Sequence, residues 1–570
     1  MTPVIEPATA PPAAAPAPAL ASIDQQVADK LREILPSKSD RLIEHRNKAA
    51  VEAFYAARND APLWIDNGKT NDRAKAVADF LARVDADGLD PADYPLPTIK
   101  ADADATALAE AELKFTQTVL TYARHAQIGR VHFSRVSPDI SYNLVPPETA
   151  DVLGGLVDAK DVAGALERFE PQHAGFKALK AKLAELRATK NAPTGPRIGL
   201  GPILKLTKAG MKDPRVPLVR DRLGLAGDSD DTTYDKTLAE AVKKFQENHH
   251  LAASGQLTTA TVEAINGPKH DRDAEIIMAN MERWRWMPRD LGRAYVIVNI
   301  PDFTLKVMKD GKLVWKTKIV AGAPGNKATP LLSETMKYIT VNPTWNVPPS
   351  IINNEYLPAL QQDPTVLERM GLKMDRNRDG TVHIYQPPGA ANALGRIRFN
   401  FPNKFLVYQH DTPDKYLFSR AVRDYSHGCM RVQDPDKYAE VLLSITNPGD
   451  GYSVERIRKM YGSGEVDIHM KTPIWVHLTY QTAFVDDEGK LQLRNDIYGR
   501  DAKYFAIMKG EEHKVADTPI EAHNPTVVRA PRMPNNIASA SGGGGGGGLF
   551  GWLFGGDSDR QSSRRQTTYR

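Results

Sequence analysis

The chain has almost no cysteine. A single thiol, Cys429, excludes any intrachain disulfide and any all-cysteine metal site. So few thiols in a long chain also suit an oxidising compartment, where a stray second thiol could mispair. The sequence has no run of the ~20 apolar residues that a membrane-crossing helix needs. It also lacks a strong excess of either charge. Lys and Arg number 74 against 70 Asp and Glu, a formal charge of +4. A polyanion-binding protein usually carries far more basic excess, so no nucleic-acid partner is expected. No Lys or Arg precedes Lys30 and prolines break up every early apolar stretch, so the start does not read as a standard secretory signal. The sequence as given is expected to be a processed form, or one whose start is assigned too late.

What is present suggests several parts. At roughly 100–200 residues per domain, 570 residues make about three. A hydrophobic content of 41% with 25% charged residues fits globular parts joined to disordered ones. Residues 1–22 alternate Pro and Ala and are expected to form an extended linker. Residues 514–570 form a Pro-rich, then Gly-rich tail, which is expected to be disordered. Within it, Leu549, Phe550, Trp552, Leu553 and Phe554 make a short apolar motif suited to a partner or a membrane interface, too short to span a bilayer.

The middle predicts a multidomain α+β protein. Residues 23–198 read as a helical scaffold, with Leu108, Ala111, Phe115, Val119 and Tyr122 on one helical face and Gly129 placed to end that helix. Residues 199–268 read as a small helical unit, in which Leu238, Ala241, Val242 and Phe245 share a face. Residues 269–292 hold a linker helix. Residues 293–513 are β-rich, with a strong hairpin signal at Asp310-Gly311. Within them, 348–386 is polar and partly helical yet holds apolar anchors such as Ile351, Ile352, Tyr356, Leu357 and Leu360, as expected of a lid inserted over a β core. Its DRNRDG resembles the start of a calcium loop, but no Glu stands at the twelfth position, so no calcium is expected.

The chemistry gathers around the one thiol, in VYQHDTPDKYLFSRAVRDYSHGCMRV at 407–432. A thiol needs a base to become a nucleophile and fixed donors to hold the oxyanion. His410 ends a predicted strand, and fifteen residues separate it from Ser426. His427 stands two before Cys429, and Gly428 lets the backbone approach a substrate. A lone Cys is commonly just a small buried hydrophobe, and the flanking Ser-His-Gly and Met-Arg argue against that here. Zinc on His410, His427 and Cys429 lacks a fourth ligand, so no metal or other cofactor is expected.

H-x(15)-S-H-G-C-M-R resembles the signature of the L,D-transpeptidases. TPLLSETMKYITVNPTWNVPPSI, IYQPPGAANALGRIRFNFPNKF, VYQHDTP and, in the scaffold, RNDAPLW and DADGLDPADY are similar to the large multidomain members. YDKTLAEAVKKFQENHHLAASGQLTTATVEAIN resembles the three-helix peptidoglycan-binding module, with His250 where that family carries Gly and Ser254 where it carries Asp. The resemblance implies a periplasmic or envelope enzyme of peptidoglycan synthesis that joins stem peptides by 3→3 cross-links and accepts carbapenems as acylating mimics. It implies Cys429 as nucleophile, His410 as proton donor and acceptor, the Asp411 carbonyl as its orienter, oxyanion amides at Gly428 and Cys429, and a supporting His427. Arg431 is the expected partner of a stem carboxylate, with Arg423 a weaker candidate. Tyr408, Ser426, Trp345 and Asn346 are expected in the substrate groove. Pairing with the base is expected to supply thiolate at neutral pH. A carboxypeptidase or endopeptidase, with water replacing the acceptor amine, and a non-catalytic wall-binding scaffold are the competing readings.

Overall fold

The computed structural model describes residues 22–38, 41–188, 198–207, 210–225, 231–248, 251–266, 270–462, 464–514 and 531–532. The Pro/Ala stretch before residue 22 and nearly all of the tail, with its 549–554 motif, lie outside these, as does His250. The chain divides into two compact units.

The first unit takes the described residues up to His125, then Pro147–Trp284 and Ala483–Gln492. Its longest helix runs Ala105–Ile128, and Gly129 follows at φ 91, a left-handed conformation suited to a helix end. Leu108, Phe115, Val119 and Tyr122 on this helix are all buried. The same helix buries Glu112 completely. Its carboxylate accepts from the Leu63 amide at 2.5 Å, the Trp64 amide at 3.0 Å and the Tyr55 hydroxyl at 2.8 Å. Trp64 itself stacks on Phe115, ring centroids 4.8 Å apart. One side chain thus closes the backbone of the 63–64 turn. Burial pushes the Glu112 carboxyl up to about 7, against the pull of its donors.

Within this unit a module packs helices Val216–Arg222, Lys236–Asn248 and Thr259–Ile265 around Val219, Tyr234, Leu238, Val242 and Val262. It also holds a short antiparallel pair, Met211–Lys212 with Thr233–Tyr234, which the helical expectation lacked. Two-residue strands leave too little period-2 pattern to read. Gln246 fastens the loop after the second helix, donating to the Gln256 carbonyl at 2.8 Å and accepting from the Gly255 amide at 2.9 Å.

The second unit takes Ala126–Pro146, Arg285–Thr482 and the described residues from Leu493 on. Residues 126–146, expected within the helical scaffold, therefore group with the β-rich part. Its strands are β1 Ile140–Ser141, β2 Ala294–Asn299, β3 Thr304–Lys309, β4 Lys312–Gly322, β5 Leu331–Val341, β6 Trp345–Asn346, β7 Lys373–Arg376, β8 Val382–Gln386, β9 Ile397–Asn400, β10 Gln409–His410, β11 Asp424–Ser426, β12 Met430–Val432 and β13 Val466–Thr479. Pairing runs β9-β10-β12-β4-β3-β2-β13-β5 and closes where β5 pairs β9, so these strands form a ring. Asp310 and Gly311 sit at φ 50 and 73 between β3 and β4, the two left-handed residues of a type I′ hairpin. The segment 348–386 has its own small sheet, ordered β6-β8-β7, and its own core of Val347, Ile352, Tyr356, Leu360, Val366 and Ile384.

Glu112→Ala should cost about 3 kcal/mol, because two buried amides and a buried hydroxyl lose their acceptor. The folded pKa is raised, so the wild-type carboxyl contributes most below its unfolded value of about 4.5 and loses that contribution as pH rises through about 7. The stability gap between wild type and Glu112→Ala, from denaturant unfolding of the whole chain, should therefore be larger at pH 5 than at pH 8. A larger gap at pH 8 would mean that the carboxyl is ionised in the fold.

Candidate active site

Strand pairing assembles the site. β10 and β12 run parallel, with His410 opposite Arg431, while β11 ends at Ser426 alongside β4. The chain from Ser426 to Cys429 crosses between β11 and β12, and Gly428 turns it at φ 109, where a side chain would be strained. Ser426 Oγ donates to the Cys429 carbonyl at 2.5 Å and accepts from the Gly428 amide at 3.2 Å. Thr329 Oγ1 donates to the Gly428 carbonyl at 2.9 Å and accepts from the Gly322 amide at 2.8 Å. The turn is thus braced from both sides. Ser426 is 3% exposed and serves the loop. Of the two amides expected for the oxyanion, that of Gly428 is occupied by Ser426, whereas that of Cys429 has no partner among the described residues.

His410 is held by its neighbour. Its Nδ1 lies 2.5 Å from the Asp411 carbonyl oxygen. A carbonyl only accepts, so Nδ1 carries the proton and Nε2 presents a lone pair. The Asp411 carboxylate is itself staked, accepting from the Arg396 amide at 2.8 Å, the Thr412 amide at 2.7 Å and Lys415 Nζ at 2.5 Å. Gly395, at φ +62, leaves the space this carboxylate fills; a Cβ there would collide with it.

Burial controls the protonation of the pair. It pushes the Cys429 thiol up to about 11, although hydrogen bonds from Tyr408 and the charges of Arg398 and Arg431 pull the other way. Burial, then Arg431, Arg398 and Lys415, hold the His410 imidazole down at about 3. Both shifts favour a neutral thiol and a neutral imidazole at neutral pH, although Cys429 itself is only half-buried. The expected thiolate at neutral pH is not what this environment favours, because desolvation penalises both charges.

Cys429, His410, Tyr408, Trp345, Ser426 and Arg431 all line one cavity of about 90 Å³. A second cavity, of about 310 Å³, shares Trp345, Tyr356, Ala393 and Arg431 with it. The Tyr408 hydroxyl reaches both the thiol and Trp345. Arg431 is paired to Asp414 at 2.9 Å while facing both cavities.

One expected groove residue, Asn346, and the weaker carboxylate candidate, Arg423, go elsewhere. Asn346 is exposed, and its Oδ1 meets His383 Nε2 at 3.1 Å, because alternation along β6 sends it opposite to Trp345. Arg423 is 8% exposed and donates to the carbonyls of Ile319, Arg420, Ala421 and Phe303, so it ties strands and loops together.

His427 meets residues that sequence reasoning missed. Its Nε2 lies 2.7 Å from Glu355 Oε1, and Lys327 Nζ lies 3.1 Å from the same oxygen. Glu355 lines the catalytic cavity. Thr329, Gly395 and Arg398 were also missed. Arg398 stands opposite His410 in the β9–β10 pair, with its guanidinium 5.6 Å from the Tyr408 ring centre. The only prior signal for these was the resemblance of the segments that carry them.

Residues 293–476 match the family model described as "L,D-transpeptidase catalytic domain", residues 221–265 that described as "Putative peptidoglycan binding domain", and residues 49–183 a "Scaffold domain". A Haemophilus influenzae protein named "Putative L,D-transpeptidase" is 28% identical over 274 residues, which are 44% of this chain and 54% of that protein. The chain thus spans about half the length of this curated relative. An L,D-transpeptidase structure from Xylanimonas cellulosilytica shares 16% identity over 50% of this chain and 100% of that one, at a TM-score of 0.13. One from Enterococcus faecium shares 13% over 37% of this chain and 64% of that one, at 0.18. Scores this low add nothing to the domain assignment, which rests on the family models. Three successive stretches of the chain thus match a scaffold domain, a putative peptidoglycan-binding domain and an L,D-transpeptidase catalytic domain.

Because the resting thiol is protonated well above neutrality, alkylation of Cys429 by iodoacetamide should accelerate about tenfold per pH unit between pH 6 and 9, with no plateau. Intact-mass labelling of the wild type follows this directly. A plateau at or below pH 7 would mean that a thiolate–imidazolium pair already exists at rest.

Proposed function

We propose that the chain is a cysteine acyltransferase of the cell envelope that forms 3→3 peptidoglycan cross-links. The observation that carries the reading is the His410 tautomer. Nδ1–H is held on the Asp411 carbonyl, which leaves Nε2 as the base, and His410 lines the same cavity as the sole thiol.

The proposed sequence begins with a tetrapeptide stem whose third-residue carbonyl reaches Cys429. His410 Nε2 takes the thiol proton as sulfur attacks. The neutral resting pair requires this transfer to accompany bond formation. The Cys429 amide, unpartnered among the described residues, and the Tyr408 hydroxyl would receive the negative charge that grows on the carbonyl oxygen. His410 then returns the proton to the departing D-alanine amine, leaving a thioester. The side-chain amine of a second stem attacks that thioester, its proton passes through His410 to the departing sulfur, and the neutral thiol is regenerated.

A cavity of about 90 Å³ is far below the ~300–1,000 Å³ of pockets that enclose small ligands. In this reading a stem enters as the 348–386 insertion, which supplies Ile351, Glu355 and Tyr356 to the wall, shifts away from the cavity. The peptidoglycan-binding domain would raise the local concentration of wall substrate.

Cys429→Ala should abolish both carbapenem acylation and dimer formation from purified disaccharide-tetrapeptide, since the chain holds no second thiol. Muropeptide analysis reads the product. Dimer from the Cys429→Ala enzyme would sink the mechanism, and tripeptide alone from the wild type would make the protein a carboxypeptidase.

A further inference from the structure

The insertion brings a charged group into the catalytic cavity that the mechanism above leaves without a task. Glu355 lies in the helical turn Ile352–Tyr356, is 8% exposed, and lines the cavity with Cys429 and His410. Its Oε1 faces two cations or donors, His427 Nε2 at 2.7 Å and Lys327 Nζ at 3.1 Å. Lys327 Nζ also lies 2.7 Å from the same His427 nitrogen. That nitrogen holds either a proton or a lone pair, so only one of its two contacts is a hydrogen bond. Placing the proton on Nε2 gives Glu355 two donors and leaves no acceptors facing each other. Oε2, by contrast, has no partner among the described residues.

Burial would push this carboxyl up, yet the His427 hydrogen bond, the charge that imidazole gains if it protonates, and the Lys327 ammonium hold it below its ordinary value. Glu355 is therefore an anion at neutral pH. A buried carboxylate with one oxygen secured and the other unpartnered, in the wall of a reaction cavity, complements a primary ammonium. Lys327 already supplies an ammonium at hydrogen-bond distance from the secured oxygen.

We infer that Glu355 is the recognition group for the ammonium of the acceptor, and so a specificity-determining residue for the second half of the reaction. The inference rests on the transpeptidase reading. The acceptor arrives as an ammonium drawn to Oε2 and loses one proton to solvent. The neutral nitrogen forms the new C–N bond as the C–S bond breaks. Its second proton leaves through His410 to the sulfur. The balance is ammonium plus thioester giving amide, thiol and one proton. Holding the ammonium beside the thioester raises its effective concentration over water, the competing nucleophile.

The test uses the full chain with purified disaccharide-tetrapeptide as donor and acceptor. The ratio of cross-linked dimer to hydrolysed tripeptide depends only on how the thioester is resolved, so donor binding does not enter it. Glu355→Gln should lower this ratio about tenfold, the loss of one charge-assisted hydrogen bond, and Glu355→Asp should restore part of it. Hydroxylamine, uncharged at pH 7.5, serves as the second nucleophile. Its partition against water should stay within about twofold in Glu355→Gln. An unchanged dimer ratio overturns the inference. So does an equal fall in both ratios, which would assign Glu355 to holding the insertion against water. A wild type that releases tripeptide and never dimer overturns the cross-linking reading itself, and the acceptor site with it.

Discussion

The proposed catalytic arrangement depends on one hydrogen bond, from His410 Nδ1 to the carbonyl of the next residue, Asp411. It decides which ring nitrogen would be the base, and it does so with a backbone group, whose position is set by the fold. The Asp411 peptide has little freedom to rotate. Its carboxylate is gripped by two amides and Lys415, and its amide donates to the Ile397 carbonyl at 2.8 Å. Gly395 is part of the same construction, since only a residue without a Cβ leaves the space that the carboxylate fills. The ring of strands contributes the rest, because β10 is pinned between β9 and β12.

Burial competes with that arrangement. Burial pushes the thiol up and the imidazole down, so both favour the neutral form at rest. The compensating charges are already built in. Arg398 and Arg431 both favour a negative sulfur, and both disfavour a protonated His410. Lys415 and Arg431 are balanced by Asp411 and Asp414, while Arg398 lies against Tyr408. The charges around the cavity thus favour anions, a setting in which charge growing on sulfur or on a carbonyl oxygen is stabilised. Reactivity is deferred until a substrate places a carbon within reach of the sulfur.

Features of the chain that are local were legible in the sequence. The stripe Leu108, Phe115, Val119 and Tyr122 is a buried helix face, and Asp310-Gly311 is a hairpin turn. Gathering His410, Gly428 and Cys429 required only the spacing of one short segment. The contacts that complete the site join residues far apart, such as Thr329 with Gly428 and Glu355 with His427. No periodicity encodes such pairs, since both partners are ordinary surface residue types until the fold buries them. Arg423 shows the converse. Its charge suggested solvent or a ligand, but a guanidinium has five donors and can serve several backbone carbonyls at once. Asn346 was within reach of reasoning, because adjacent strand residues face opposite ways and Trp345 had already taken the groove side. Strand β1, only two residues long, left no pattern by which to assign residues 126–146 to the β-rich unit.

One carboxylate links the insertion to the loop that carries Cys429. Among the described residues Glu355 meets His427, two residues before Cys429, and Lys327, two residues before the Thr329 that braces Gly428. A displacement of the insertion is therefore felt first at the turn that presents the thiol. Because the insertion has its own apolar core, its residues need not rearrange among themselves when that link is broken. Opening the cavity by moving the insertion would break the Glu355 contacts. An ammonium seated on Glu355 would add to those contacts. Closure of the cavity and capture of the second substrate would then stabilise one another through a single carboxylate.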